Sequence, residues 1–411
     1  MMTKIKNLFD PYRGLPREVY VIFIARIINA MGAFVFPMMS LILTDKIGLT
    51  QSESGMWISL LAALFIPANL LGGKLTDHIG RKKIIIIFDT LAIIAYGICA
   101  FKPLDMNTVY LIMLASLFMG MSEPAHNALL ADVTNPSNRD GAYSLTYLGF
   151  NLGFIVGPAV GGLLFEKHLF WFFLGDAITA FIAVILVFIF IKDTLHLTNE
   201  EEFDESRELE KREEGSIFSV LKKRPILVYY AIIAFGYNFV YAQWGFLMPI
   251  HVKATQATGA AFYGLLASFN GFVVILFTPL LTKLLQKFSN LHKIFLGGLL
   301  YAVGFGAMGF NNSGILFFIS TFIFTIGEII VTISHMPFIT NHTPASHRGR
   351  MSSILPVLMG LGWTLSPLVV GNALNIMTME TAWKIIGFIG LISALFMLAL
   401  DKMDKRTRVD N

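Results

Sequence analysis

The amino-acid sequence predicts an all-α integral membrane protein with twelve transmembrane helices in two six-helix bundles. Three observations lead there: apolar runs of membrane-crossing length, a one-sided distribution of lysine and arginine, and a repeat relating the two halves at one constant offset. Of 411 residues, 55% are hydrophobic and 14% charged, against about 25% charged in a soluble domain; mean hydropathy is +0.67. The single cysteine, Cys99, excludes an internal disulfide and sits in an apolar run, where a small buried hydrophobe is expected.

Runs of about 20 apolar residues can cross a bilayer as helices. Twelve are read, at 18–44, 54–75, 83–101, 106–131, 141–165, 169–192, 226–252, 259–283, 293–310, 313–338, 350–377 and 381–401. The leading MMTKIKNLFDPYRGLPREVY stays charged as far as Arg17, and no small-residue cleavage site follows a short apolar core. It is therefore expected to be a cytoplasmic lead-in rather than a cleavable signal.

With both termini inside, the inner segments collect most of the cations. These include Lys4, Lys6, Arg13 and Arg17, then Lys74, Arg81, Lys82 and Lys83, then Arg139, Lys283, Lys287, Lys293, Arg348 and Arg350. The outer loops hold only Lys46, Lys102, Lys167, Lys253 and Lys384. Such a bias sets orientation. The surplus of positive charge, +4 with a pI near 9.0, is thus a topology signal. The bilayer is the expected partner and nucleic acid is not; the expected location is the cell membrane, multi-pass.

Between spans six and seven lies the one long polar stretch, DTLHLTNEEEFDESRELEKREEGSIFSVLKKRP. Its acidic block reads as a solvated cytoplasmic tether. The organisation is a first bundle over 1–192, a linker over 193–225 and a second bundle over 226–411. The halves repeat: a shift of 209 carries Asn29 onto Asn238, Gly55 onto Gly264 and Lys74 onto Lys283. It also carries Arg139 onto Arg348, Gly153 onto Gly362, Pro158 onto Pro367 and Gly162 onto Gly371. Six plus six helices in parallel repeats around a midplane site is an architecture used by transporters.

Two motifs make the resemblance specific. GGKLTDHIGRKK, between spans two and three, resembles the signature loop of the major facilitator superfamily at Gly73, Asp77, Gly80, Arg81 and Lys82. SLTYLGFNLGFIVGPAVGG in span five is similar to the antiporter motif of the superfamily's twelve-helix drug:proton antiporter branch at Gly153, Gly157, Pro158, Gly161 and Gly162, with Ser144 in place of its first glycine. The resemblance covers the whole chain. It implies alternating access, with the charged loop latching the cytoplasmic side. In the equivalent second-half loop, TKLLQKFSNLHKI, Gln286 replaces Asp77 and Asn290 replaces Arg81 while lysines persist. The first loop therefore carries more than a topology signal.

For span five, small residues allow close helix approach and Pro158 removes a backbone donor. Asp132 and Arg139 flank the next inner loop and are expected to tie it structurally.

Ionisable residues inside the hydrocarbon cost about 2.5–3.5 kcal/mol on insertion scales and mark function. They are Arg26, Asp89, Glu123, Asp176 and Glu328. The resemblance places spans one, four, seven and ten around the cavity, which selects Arg26, Glu123 and Glu328 for proton coupling. Asp89 and Asp176 are expected to be scaffold or helix-end residues rather than carriers. Arg26 and Glu123 both lie in the cytoplasmic half by helical rise, where they could pair. Glu328 has no arginine or lysine within a span of its own half, and burial without a counter-charge favours a carboxyl's neutral form. Glu328 is the preferred proton carrier.

The expected substrate pocket combines Asn29, Met31 and Phe34 with Asn238, Tyr241, Gln243 and Trp244, and with His126 and His335 as polar cavity residues rather than metal ligands. The drug-antiporter branch usually carries an arginine where this chain has Ser116, four residues before Gly120, so Arg26 and Glu123 take over or the coupling differs. No metal or cofactor is expected. An enzyme would need a catalytic constellation, and HExxH, GxSxG and Walker patterns do not occur. The expected function is proton-coupled export of amphipathic or cationic small molecules by a monomer. The alternative is a symporter importing a nutrient, or an exporter of a lipid-like metabolite.

Overall fold

The computed structural model describes residues 12–134, 138–194, 222, 224–310, 313–342 and 348–409, and its regular structure there is helical throughout. In chain order the helices are α1 (Arg17–Met31), α2 (Met39–Leu41, continuing as a π-helical turn over Ile42–Lys46), α3 (Gln51–Ile79), α4 (Arg81–Ala100), α5 (Met106–Asp132), α6 (Arg139–Lys167) and α7 (Leu169–Phe190). After the linker come α8 (Pro225–Tyr241), a 3-10 turn (Ala242–Trp244), α9 (Leu247–Thr255), α10 (Gly259–Leu284), α11 (Asn290–Ala307), α12 (Gly314–His342), α13 (Arg348–Ala373) and α14 (Met379–Val409).

Among the described residues, nine stretches are long and apolar enough to cross a membrane, at predicted spans two to eight, ten and twelve. The ninth and eleventh spans are helical where expected, as α11 and α13. The first is broken between Met31 and Met39. Pro37 in this gap has no N–H to give a helix. Apolar side chains cover the outside, as with Leu163, Ile232, Phe388 and Phe396, which suits lipid rather than water. Most of the polar linker lies outside the described residues.

Backbone contacts divide the chain into two compact units. The first comprises Met1–Gly48, Leu60–Glu202 and Thr258–Phe272; the second comprises Leu49–Ser59, Phe203–Ala257 and Val273–Asn411. These boundaries depart from the sequence halves: the first turns of α3 join the second unit and the first turns of α10 join the first. Glycine contacts supply the reason. A methyl at Gly264 would fall 2.1 Å from the Pro158 carbonyl oxygen, inside the first unit, and one at Gly55 would fall 2.1 Å from that of Pro367, inside the second. Gly162 approaches the Ala260 carbonyl as Gly371 approaches that of Gln51. Every partner in one contact maps onto its counterpart by the 209-residue shift, so the repeat reappears as paired packing.

Within the first unit, α1, α4, α5, α6 and α7 close around Val19, Ile85, Leu129, Leu145 and Val187, all buried. Inside a bilayer such contacts hold through close packing rather than water exclusion. The span-five glycines serve this end: methyls at Gly153 and Gly157 would fall 2.4 Å from the carbonyl oxygens of Ile27 and Ala30 on α1. Gly161 accommodates the Phe34 ring. At the opposite end of α5, Asp105 caps the helix by accepting the N–H groups of Asn107 and Thr108. The Asn107 side-chain amide, followed by these bonds, holds the exposed Asp105 carboxyl below the usual carboxylate range.

Candidate functional site

The charged loop between α3 and α4 closes into the first unit. Gly80 adopts φ +106°, a left-handed conformation that favours glycine, and a methyl there would fall 2.6 Å from an Asp193 carboxylate oxygen. This turn delivers Arg81 into the bundle, where its Nε lies 2.9 Å from Asp132 Oδ2. The contact is ionic rather than an aligned hydrogen bond. The Thr194 hydroxyl donates to the same oxygen at 2.6 Å. Asp132 therefore ties α5 to the α3–α4 turn and to the end of α7, where the sequence suggested a local loop tie with Arg139. Lys82 lies over the Phe188 ring at 5.1 Å, the contact of an anchor. The side chains of Asp77, Arg139 and Arg348 lie outside the described residues; Gly73 is half-buried on α3.

Deeper in the same unit, α1, α4, α5, α6 and α7 enclose a cavity of about 170 Å³. Drug-sized ligand pockets run to about 300–1,000 Å³, so this one suits ions and a few waters. Arg26, Asn29, Asp89, Glu123, His126 and Asp176 line it. Arg26 pairs with Glu123 at 3.9 Å, with both side chains partly open. The Asn127 amide donates to Glu123 at 3.3 Å. One turn from Glu123 on α5, His126 Nε2 lies 2.8 Å from Asp89 Oδ2.

Asp176 Oδ2 accepts the backbone N–H groups of Phe34 and Val35, each at 3.1 Å, in the gap between α1 and α2. A carboxylate thus satisfies donors that the broken helix leaves free. Asp89 and Asp176, assigned to the scaffold from sequence, face the cavity together with Arg26 and Glu123. Helices assigned to the outer scaffold still turn one face to the cavity, and both aspartates lie on that face, where Asp176 ties α7 to the gap after α1 as a scaffold residue would. The signal lay in their charge, since a carboxylate inside a membrane helix seeks a polar neighbour.

The predicted substrate residues separate. Asn29 and His126 line the cavity. Phe34 instead packs against Phe172 and is buried, whereas Met31 is exposed. In the second unit, Gln243 is fully buried and hydrogen-bonds to Ser366, and Trp244 packs on Phe324; both are core. Tyr241 stacks on Tyr301 and packs at a tilt against Trp363. Asn238 donates to the Ala234 carbonyl on its own helix, and His335 shares a 2.6 Å hydrogen bond with Tyr230. Glu328 is half-buried on α12, within electrostatic reach of Tyr301, and has a partner of its own. The sequence expectation of an unpaired carboxyl is corrected accordingly. Among the described residues no cluster of three or more His, Cys, Asp or Glu could hold a metal ion.

Comparison with known proteins sets this geometry in a family. The profile described as Major Facilitator Superfamily matches residues 22–290 and 240–410. The chain is 23% identical over 372 residues to a Na(+), Li(+), K(+)/H(+) antiporter of Planococcus maritimus, covering 83% of this chain and 86% of that protein. It is 26% identical over 183 residues to the quinolone resistance protein NorA of Staphylococcus aureus, covering 43% and 46%. Among solved structures, a POT peptide transporter in complex with alafosfalin superposes with a TM-score of 0.80 at 17% identity, over 95% of this chain and 96% of that one. The nucleoside transporter NupG follows at 0.75 and 14%, over 94% and 100%. With the family profile spanning nearly the whole chain, this protein belongs to the major facilitator superfamily of membrane transporters.

Proposed function

We propose that this transporter is a proton-coupled antiporter exporting cationic or amphipathic small molecules across the cell membrane by alternating access. It does so as a monomer with twelve spans in two six-helix bundles and both termini cytoplasmic. The observation carrying this reading is the Arg26–Glu123 pair at 3.9 Å, half-open to a small cavity inside helices that face lipid. A proton arriving on Glu123 would take the place of Arg26 as the carboxylate's partner, and Arg26 would be left free to find another anion. Glu328 serves as a second carrier in the second unit, close to Tyr301. The Arg81–Asp132 contact is part of the cytoplasmic gate.

The relatives support exchange. One is named for moving Na(+), Li(+) and K(+) against protons, and another for quinolone resistance. The small volume of the first-unit cavity favours a second reading in which the exported cation is a monovalent inorganic ion.

The test is transport in proteoliposomes with an imposed pH gradient, using ethidium, Na(+) and K(+) as probes. Antiport predicts that the probe moves against the proton flow and that Glu328→Gln weakens its dependence on the gradient. Movement of the probe in the same direction as protons would replace antiport with symport. An unchanged gradient dependence in Glu328→Gln would remove that residue as a carrier.

A further inference from the structure

We propose that Asp89 and His126 form a second proton-accepting pair in the first-unit cavity, acting beside Arg26–Glu123; this rests on the proton-coupled reading above. The pair joins α4 to α5 through a 2.8 Å contact, with the His126 side chain 25% and that of Asp89 18% exposed. It is desolvated enough for charge to matter and open enough for a proton to enter from water.

The charge balance of the cavity shows why a proton would stop there. The ionisable and polar groups around the pair are Arg26 and Asn29 from α1, Tyr96 from α4, Ser122, Glu123 and Asn127 from α5, Tyr143 and Thr146 from α6 and Asp176 from α7. Among these lining residues one permanent cation, Arg26, faces three carboxylates, those of Asp89, Glu123 and Asp176. The cavity is therefore formally anionic while His126 is neutral. Imidazole is the side chain whose ordinary titration lies between about pH 5 and 8, and it can gain a positive charge without giving up a bond it already makes.

The hydrogen bond fixes how. An ionised carboxylate only accepts, so the contact with Asp89 places the proton of neutral His126 on Nε2. The incoming proton then adds to the Nδ1 lone pair. The imidazolium stays bonded to Asp89, and the same N–H bond at Nδ1 breaks on release; no other bond changes. One exchangeable positive charge is thereby stored one helical turn from Glu123. An exported cation entering this anionic cavity and the proton on His126 relieve the same charge excess, so each disfavours the other, as exchange requires.

His126→Gln keeps a side-chain amide able to donate to Asp89 but removes the base. In proteoliposomes with Na(+) as probe, it is expected to lose pH-gradient-driven uptake about tenfold more than it loses counterflow without a gradient. A merely structural role would depress both alike. Asp89→Asn in the His126→Gln background should add little, because the two act as one unit. A His126→Gln protein whose gradient-driven uptake falls no further than its counterflow overturns the proposal.

A second measurement decides the matter even if wild type drives no probe. On the purified full chain with ring-labelled histidine, the resonance missing in His126→Gln should move with pH and respond to Asp89→Asn. A resonance that ignores pH, or titrates identically in Asp89→Asn, rejects the pair. Loss of wild-type gradient-driven transport with a normal resonance would instead reject the antiport reading and keep the pair.

Discussion

Replacing Asp176 by alanine and by asparagine tests how the break in the first span is held. Asp176 Oδ2 receives the N–H groups of Phe34 and Val35, and the carboxylate is 8% exposed. The Phe34 N–H also reaches the Gly32 carbonyl at 2.7 Å, so it keeps an acceptor when the carboxylate is removed. The Val35 N–H loses the acceptor shown. A hydrogen bond to a charged group is worth about 1.5–3 kcal/mol, and a buried donor left unmade costs about 1–3 kcal/mol. Together these put Asp176→Ala about 2–4 kcal/mol below wild type. Asp176→Asn retains an oxygen of similar reach but not its charge, for a cost of about 1–2 kcal/mol. Equilibrium unfolding in mixed micelles gives the free energies, and hydrogen exchange at Phe34 and Val35 gives the local opening. The order expected is wild type, asparagine, alanine, with exchange over 32–38 rising in the same order. An alanine variant within about 0.5 kcal/mol of wild type, with unchanged exchange at Val35, refutes the view that this carboxylate holds the break.

Further expectations concern the gate and the packing. The Arg81–Asp132 contact joins side chains 6% and 14% exposed, and breaking a buried pair from one side costs about 3–5 kcal/mol. Arg81→Ala and Asp132→Ala should each approach the lower end, and the double variant should fall well short of their sum in a thermodynamic cycle. Additive costs would show that the ion pair contributes nothing of its own. Gly55→Ala and Gly264→Ala should destabilise by similar amounts, about 1–3 kcal/mol, because both methyls meet a proline carbonyl oxygen at 2.1 Å. Gly97→Ala, with nothing within 4 Å, is the control and should be neutral in the same melting assay. Markedly unequal effects at Gly55 and Gly264 would argue against equivalent packing.

Much of this architecture was legible in the sequence because its signals are local and periodic. Apolar runs mark spans wherever a helix is continuous, and Gly80 marked a turn that does take a left-handed backbone. The span-five glycines announced close packing, and their methyls would indeed collide with α1. The pairing of Arg26 with Glu123 could be read because helical rise places both at a similar depth.

What escaped depends on which way a helix faces. Asp89 and Asp176 were assigned by span number, whereas the face of α4 or α7 on which each lies brings it to the cavity. Gln243 and Trp244 looked like pocket residues because polar and aromatic side chains cluster there, but Ser366 and Phe324 from distant segments cover them. Arg81 finds its counter-charge 51 positions away, at Asp132, beyond the reach of a local motif. The break after Met31 left Gly32 and Pro37 as its traces, and these hydropathy averages over.

The coupling claim is tested most directly by measuring proton flux and substrate flux together in one proteoliposome preparation. The comparison is wild type against Glu123→Gln, with ethidium as probe and an acidic interior. The account expects proton efflux to accompany ethidium uptake in wild type, and both to fall about tenfold or more in Glu123→Gln while ethidium counterflow is lost less. Ethidium uptake in Glu123→Gln that keeps its full rate and its accompanying proton efflux would contradict it.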